Sequence, residues 1–330
     1  MAVEYPNLND VLRMQDPTGK IRPATFGRIL TQELPMLEDM PMIPTNRIDT
    51  HLMTLDQALP TPTYRRIYTG VEPSKGQKTQ VEESCGHLED MCRIDELVVD
   101  PLDDPKAVIA SENMDFMEGF AQKWGTDIIY SDTAVNPDQP LGIAPRYDVL
   151  GTPTGKPTAN NYLNQVLNAG GTTANIQTSM YLIGWGPRTV FGLYPRNTAA
   201  GLVVRDKGKI QVTDATQKTY WAYATQYLQD WGFAVKDWRY IVRIANIEST
   251  ASTFDYTKLI QAVNAIPSLS KCRPVFYCNR TTRTLLDIVA AAKTNVFWPV
   301  KSVFGEEVLS FRGIPIRTHD SIVNTEAVLT

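Results

Sequence analysis

The sequence predicts an α+β fold, and three observations carry the prediction. Residues 179–247 are dense in aromatic and β-branched residues, the composition of strands. Helix-period apolar patterns occupy residues 103–130, 255–266 and 280–293. Residues 1–99, in contrast, are extended, polar and broken by prolines. At 330 residues, 43% hydrophobic and 21% charged, the composition is ordinary for a globular chain and sufficient for one elaborate domain or two modest ones.

The first segment, residues 1–49, reads as an arm. Pro6, Pro17, Pro23, Pro35, Pro41 and Pro44 divide it into short pieces. One helix is expected around residues 24–34, with Thr25 as cap and Phe26, Ile29 and Leu30 as its apolar stripe. A segment so rich in proline buries little of itself and is expected to lie along something else. Residues 50–99 read as a long two-stranded hairpin. Its outgoing side carries Leu52 and Leu55, is interrupted at Pro60 and Pro62, and resumes at Tyr64, Ile67 and Tyr68. The turn is expected at residues 72–78, where Pro73, Ser74 and Gly76 supply turn chemistry. The return side runs from Thr79 to Val99 and is rich in acids, among them Glu82, Glu83, Glu89 and Asp90. A two-stranded ribbon is marginal in water, so it needs a surface to lie on.

The clearest helix follows. Asp103 and Asp104 offer a cap and Pro105 suits the first turn. Phe116, Phe120, Trp124 and Ile128 recur at every fourth residue as a core face, and the helix that carries them runs to about Tyr130, roughly 40 Å long at ~1.5 Å per residue. Gly119 and Gly125 weaken the helix and suggest close approach by another element. Residues 136–175 read as loop. Strands are expected at 181–185, 189–193, 202–204, 209–212, 218–221, 233–235, 240–244 and 274–277, and a closing strand pair at 308–316.

The totals and motifs exclude several function classes. A net charge of -4 argues against a protein whose main task is gripping nucleic acid, which needs a basic surplus. No apolar stretch approaches the ~20 residues of a membrane span, and the sequence shows no secretory signal, so a cytoplasmic origin is expected. Cys85, Cys92, Cys272 and Cys278 are read as free thiols. His87 lies between the first two, but structural zinc ligands are spaced more tightly, and neither metal nor cofactor is expected. The run Gly151-Thr152-Pro153-Thr154-Gly155-Lys156 is one residue short of a phosphate loop, and Pro157 stands where the Ser or Thr would be. Gly184-Trp185-Gly186-Pro187 lacks the third glycine of a dinucleotide fingerprint and reads as a turn between strands. His319 and Asp320 form the one tempting acid-base pair, but neighbours along a strand face opposite sides. An enzyme is not expected.

Several segments resemble the major capsid proteins of tailed phages and prophages. They are Gly70-Val71-Glu72-Pro73-Ser74-Lys75, Gly142-Ile143-Ala144-Pro145-Arg146-Tyr147 and Trp185-Gly186-Pro187, then Trp238-Arg239-Tyr240-Ile241-Val242-Arg243-Ile244-Ala245-Asn246, Phe276-Tyr277-Cys278-Asn279-Arg280-Thr281 and Leu309-Ser310-Phe311-Arg312-Gly313-Ile314-Pro315-Ile316. Their order is the signal, and it runs from about residue 50 to the end. The order of elements likewise resembles the Hong Kong 97-type capsid fold.

That resemblance implies an N-terminal arm at 1–49, an extended hairpin loop at 50–99 and a peripheral domain with the spine helix at 100–150. The axial domain and the remaining peripheral strands would fill 151–330. It implies a coat that self-assembles as pentamers and hexamers into an icosahedral head around double-stranded DNA, contacted non-specifically. A portal and a decoration protein are further partners it suggests, with the virion as location. The hairpin is reached within about fifty residues, leaving no room for the fused scaffolding segment of some relatives, so a separate scaffolding protein is expected. No lysine–asparagine crosslinking pair can be nominated. The arm would cross one neighbour and the hairpin another. Arg65, Arg66, Lys75, Lys78, Glu82 and Glu83 are the candidates for contacts between subunits. The competing readings are an encapsulin-like shell, a tail or portal-vertex component, and a soluble α/β enzyme with an unrecognised site.

Overall fold

The computed structural model of the protein describes residues 34–101, 105–152, 164–198, 200–214, 216–250, 254–292, 301–303, 306–308 and 310–330. The helix expected at 24–34, the Asp103–Asp104 cap and most of the run at 151–157 lie outside them. In chain order the elements begin with α1 (Pro35–Asp39), β1 (Met42–Pro44), β2 (Thr50–Ala58) and β3 (Gln77–Asp95). Then come α2 (Glu96–Val99), α3 (Pro105–Tyr130), β4 (Val166–Asn168), β5 (Gln177–Trp185), β6 (Val190–Tyr194), β7 (Leu202–Thr213), β8 (Thr219–Val235) and β9 (Ile241–Glu248). The remainder is α4 (Thr257–Ala265), β10 (Arg273–Cys278), α5 (Arg280–Ala292), β11 (Lys301–Val303), β12 (Glu306–Val308), β13 (Ser310–Phe311) and β14 (Ile314–Thr318). Among the described residues no helix is long and apolar enough to cross a membrane.

The chain divides into two compact units, and β3, α3 and β8 each contribute residues to both. The described part of the smaller unit comprises 87–101, 105–124, 200–214 and 216–230. Here β7 and β8 form an antiparallel hairpin from Leu202↔Gln229 to Thr213↔Thr219, so the separate short strands expected at 202–204 and 209–212 are one strand. A bulge between Asp206 and Gly208 interrupts it, and Gly208 takes φ 66°, a conformation glycine adopts without steric cost. Its core is Cys92, Ile94, Val99, Phe120 and Tyr227, with Ile109 and Phe116 packed against it. The Phe116 ring stacks on Tyr227 at 5.5 Å, and the Tyr227 hydroxyl donates to Asn113 Oδ1 at 2.5 Å. The four-residue spacing of the helix aromatics thus delivers the buried face that it predicts.

The larger unit is built on β5, whose nine residues are all buried. It pairs antiparallel with β10 on one side, for example Ile183↔Val275, and with β9 on the other, for example Leu182↔Val242. β14 extends the sheet beyond β10 in parallel, and the Arg312–Gly313 turn returns β13 against it. Of the apolar stripes expected on the two amphipathic helices, Leu259, Val263 and Ile266 are buried on α4 and at its end, and Leu285, Leu286 and Val289 on α5, whereas Ile288 is half exposed. As expected, 186–189 is a turn between strands, closed by the Thr189 hydroxyl donating to the Gly184 carbonyl at 2.7 Å.

Three expectations need correction. Residues 34–49, read as part of a non-compact arm, fold onto the chain's own sheet. β1 pairs in parallel with β6, and Met36 and Met40 are buried. Residues 96–99, read as the end of a strand, form a short helix because the Asp95 side chain caps it by accepting from Leu97 N at 2.9 Å. The two helix glycines also differ. A side chain at Gly125 would meet Leu34 at 2.6 Å, the close approach expected, whereas Gly119 has nothing within 4 Å.

Candidate assembly surfaces

The hairpin of the larger unit ends in an exposed loop. β2 and the start of β3 pair from Thr50↔Ser84 to Ala58↔Gln77, with a bulge before Ala58. Pairing stops there because Pro60 and Pro62 lack an N–H to donate and bias their predecessors to extended backbone. The outgoing strand therefore does not resume at Tyr64, and the turn is wider than residues 72–78. Residues 59–76 form one irregular loop, with Gln77 and Lys78 already inside β3. Within it, the Thr69 amide and hydroxyl both donate to the Arg66 carbonyl, and Tyr68 sits at φ 65°.

This loop exposes Leu59, Tyr64, Ile67, Tyr68 and Val71, and the two tyrosines are fully accessible. Arg65, Arg66 and Lys75 are exposed among them, against the single acid Glu72, and Lys78 is exposed just beyond, at the start of β3. Among the described residues no ion pair engages these four bases. Sequence reading found the bases but not the apolar residues beside them, which it placed in a strand. Pro60 and Pro62 were the signal against that strand.

The two acids behave differently. Glu82 is exposed and engaged within the chain, accepting from the Thr50 hydroxyl at 2.6 Å and from Arg47 at 2.7 Å. The Thr50 hydrogen bond first, then Arg47, hold its carboxyl below the ordinary range. Glu83, expected to face a neighbour, is buried and gripped by both arms of Arg146 at 2.6 and 2.7 Å. This fork-to-fork geometry closes its carboxylate inside the chain and fixes the base of the hairpin.

Two further buried ionic clusters hold the larger unit. Glu326 accepts from the Tyr130 hydroxyl at 2.6 Å, from Ser179 and from Arg243 at 2.8 Å. Arg243, 4% exposed, also donates to Ser179 Oγ and to the Tyr147 and Ala144 carbonyls. At α1, buried Asp39 accepts from the Tyr277 hydroxyl at 2.7 Å and pairs with Arg273 and Arg317 at 3.0 and 3.3 Å. Burial foremost, with the Asp39 charge beside it, pushes the Tyr277 phenol far up.

In the smaller unit, Leu88, Phe116, Gly119 and Phe120 supply the apolar lining of a groove of about 410 Å³. Nearby, Lys209 reaches both Glu96 and Asp100 at 2.9 Å, and Tyr223 donates to Asp100 at 2.8 Å. His87 meets Asp230 at 2.7 Å. Among the described residues no group of three or more His, Cys, Asp and Glu is placed to hold a metal ion. Burial pushes the Cys92 and Cys278 thiols up to about 12, which keeps them protonated and unreactive.

The tempting histidine pair is dispersed. His319 is fully buried, with Nε2 facing the Gly125 carbonyl at 3.3 Å, and burial pushes it down to about 4. The Asp320 carboxylate is taken by Arg280 through two hydrogen bonds of 2.8 Å. An imidazole sealed in neutral form beside an occupied carboxylate cannot shuttle protons with solvent.

Comparison with known proteins agrees with this architecture. No curated protein matches the sequence. A chain in the cryo-EM-derived structure of bacteriophage Epsilon15 is 25% identical, with a TM-score of 0.74 over 100% of this chain and 98% of that one. A chain of the bacteriophage JBD30 capsid is 11% identical, with a TM-score of 0.53 over 97% of this chain and 98% of that one, which is a likeness of fold. The fold is the Hong Kong 97-type α+β fold that the order of elements predicts. The family model described as "Major capsid protein GP7" matches residues 16–330. The chain belongs to the major capsid protein GP7 family.

Proposed function

We propose that this capsid protein builds its shell chiefly through the hairpin loop, with Arg65, Arg66, Lys75 and Lys78 meeting carboxylates of neighbouring subunits. The observation that carries the reading is the loop itself. A segment with five exposed large apolar residues and three exposed bases, with Lys78 beside it, gains nothing from standing in water, and gains much from a partner. Each exposed ion pair is worth only ~0–1 kcal/mol, but many copies in a closed shell act together. Glu82 and Glu83 serve instead to anchor the hairpin to its own subunit.

In the full reading, pentamers and hexamers form an icosahedral head enclosing double-stranded DNA that the coat contacts non-specifically. A separate scaffolding protein, a portal and a decoration protein are its further partners, and residues before 34 serve as an arm. The chain is made in the bacterial cytoplasm, resides in the virion and catalyses nothing. The test is replacement of residues 59–76 by a short Gly-Ser turn. The subunit should retain wild-type circular dichroism and unfolding while losing its fast-sedimenting particles. Normal particles from that variant would refute the loop's role.

A further inference from the structure

We infer that one end of the central sheet in the larger unit grips the phosphate backbone of double-stranded DNA. The inference rests on the shell reading for where DNA is met and adds the surface that meets it. Strand register gathers that end from distant parts of the sequence. Trp185, the last residue of β5, pairs with Arg273 at the start of β10 and with Val190 at the start of β6. Val190 in turn pairs with Val235, the last residue of β8, and Ile241 opens β9 beside Ile183. The turns 186–189, 236–240 and 269–272 therefore lie side by side. The Lys236 and Asp237 amides both donate to the Thr189 carbonyl, and a Cβ on Gly186 would lie 3.6 Å from the Lys271 carbonyl.

These turns and the first residue of β10 carry Arg188, Lys236, Arg239, Lys271 and Arg273 against one acid, Asp237, in a chain whose net charge is -4. Arg239 closes on Asp237 through hydrogen bonds of 2.8 and 2.7 Å, and Arg273 reaches buried Asp39 at 3.0 Å. Arg188, Lys236 and Lys271 are exposed, and among the described residues no ion pair engages them. Arg312, exposed at the β13–β14 turn, continues the row, because β14 runs parallel beside β10. The strands β8, β6, β5 and β10 are successive neighbours. At ~4.8 Å per step the row from Lys236 to Lys271 is about 14 Å long, the axial rise of about four phosphates of one DNA strand.

Composition favours nucleic acid over a protein partner. The hairpin loop sets its bases among five exposed large apolar residues, whereas these turns expose one, Leu269. Protein interfaces are depleted in lysine and centred on aromatic residues, while DNA interfaces are polar and cationic. The Ser268 and Ser270 hydroxyls, 3.1 Å apart and close to Lys271 in the chain, add donors of the kind that bind phosphate oxygens without reading sequence.

The test is fluorescence anisotropy of a labelled duplex of about 20 base pairs with the full, unassembled chain across a salt series. Arg188→Gln with Lys236→Gln and Lys271→Gln should bind at least about tenfold more weakly at ~0.1 M salt. Its log–log salt slope should be shallower by about 2.7, at ~0.9 per phosphate contact. Arg205→Gln with Lys207→Gln and Lys218→Gln removes the same charge from exposed positions on β7 and the turn after it, and should leave affinity within about twofold. Lys236→Arg with Lys271→Arg keeps both charges and should bind as wild type does, which separates loss of charge from loss of fold.

Sedimentation of the same variants reads shell formation separately. An unchanged salt slope in the first triple variant, an equal loss in the second, or no duplex binding by wild type at low salt would each overturn the site and leave the shell reading standing. Loss of particles by the first variant with DNA binding intact would also overturn it, by assigning the row to carboxylates of a second copy. A wild-type chain that binds DNA through these residues but never assembles would sink the shell reading alone.

Discussion

The Arg243–Glu326 pair should be among the most costly sites in the molecule to cut on one side. Both side chains are almost fully enclosed, at 5% and 7% exposure, and they sit 83 positions apart in sequence. Glu326→Leu removes the acceptor of three converging donors: the Tyr130 hydroxyl, Ser179 and Arg243. It leaves a guanidinium buried with two carbonyls and a serine but no counter-charge. Severing one partner of a buried pair costs about 3–5 kcal/mol. Arg243→Met should cost a similar amount, since it strands the carboxylate and frees the Tyr147 carbonyl, while the Ala144 carbonyl keeps the Tyr147 N–H. The double variant removes both charges, so its loss should fall short of the sum of the singles by at least about 2 kcal/mol. Some cost remains, because the Tyr147 carbonyl loses its Arg243 donor, and an orphaned buried carbonyl forfeits about 1–3 kcal/mol. Urea unfolding of unassembled protein measures all four corners of the cycle. Single variants within about 1 kcal/mol of wild type, or strict additivity, would refute the assignment of this pair as a buried structural lock.

Other outcomes are equally specific. Glu83→Gln breaks the buried fork with Arg146 and should lower stability by about 3 kcal/mol, whereas Arg47→Ala, at an exposed pair, should change it by no more than about 1 kcal/mol; paired denaturation curves compare them. His319 has its folded pKa pushed down to about 4 from 6.5, so the unfolded chain binds the extra proton between those values. Stability from His319 is therefore complete above about pH 6.5 and falls as pH drops toward 4, by about 3 kcal/mol in all. His319→Gln should flatten that part of a pH series of urea melts. Gly171→Ala would place a Cβ 2.6 Å from the Asn246 carbonyl and 2.2 Å from Gln177, and should lower the thermal midpoint, while Gly119→Ala should raise it slightly.

Local physics made much of this fold readable. Pro105, the aromatics at 116, 120 and 124 and Ile128 specify α3, and the β-branched run of 240–244 specifies the start of β9. Apolar stripes likewise marked α4 and α5 closely. Reading failed where a local rule was outvoted or underweighted. Asp95 turned the end of the return strand into a helix by capping it, and Pro60 and Pro62 ended a strand expected to resume. Residues 34–49 looked unable to bury themselves, yet Asp39 finds Tyr277 238 positions away, a pairing no local pattern encodes. Glu83 with Arg146 and Arg243 with Glu326 are illegible for the same reason. Of the candidate surface, the basic charges were visible directly, while the apolar residues beside them and the groove on α3 required the tertiary structure.

The most direct test of the account is negative-stain microscopy of the purified chain alongside its sedimentation profile. A shell-forming subunit should give closed shells, tubes or capsomer rings sedimenting far ahead of a single chain. A compact monomer or dimer that stays so at every concentration and ionic strength would contradict it.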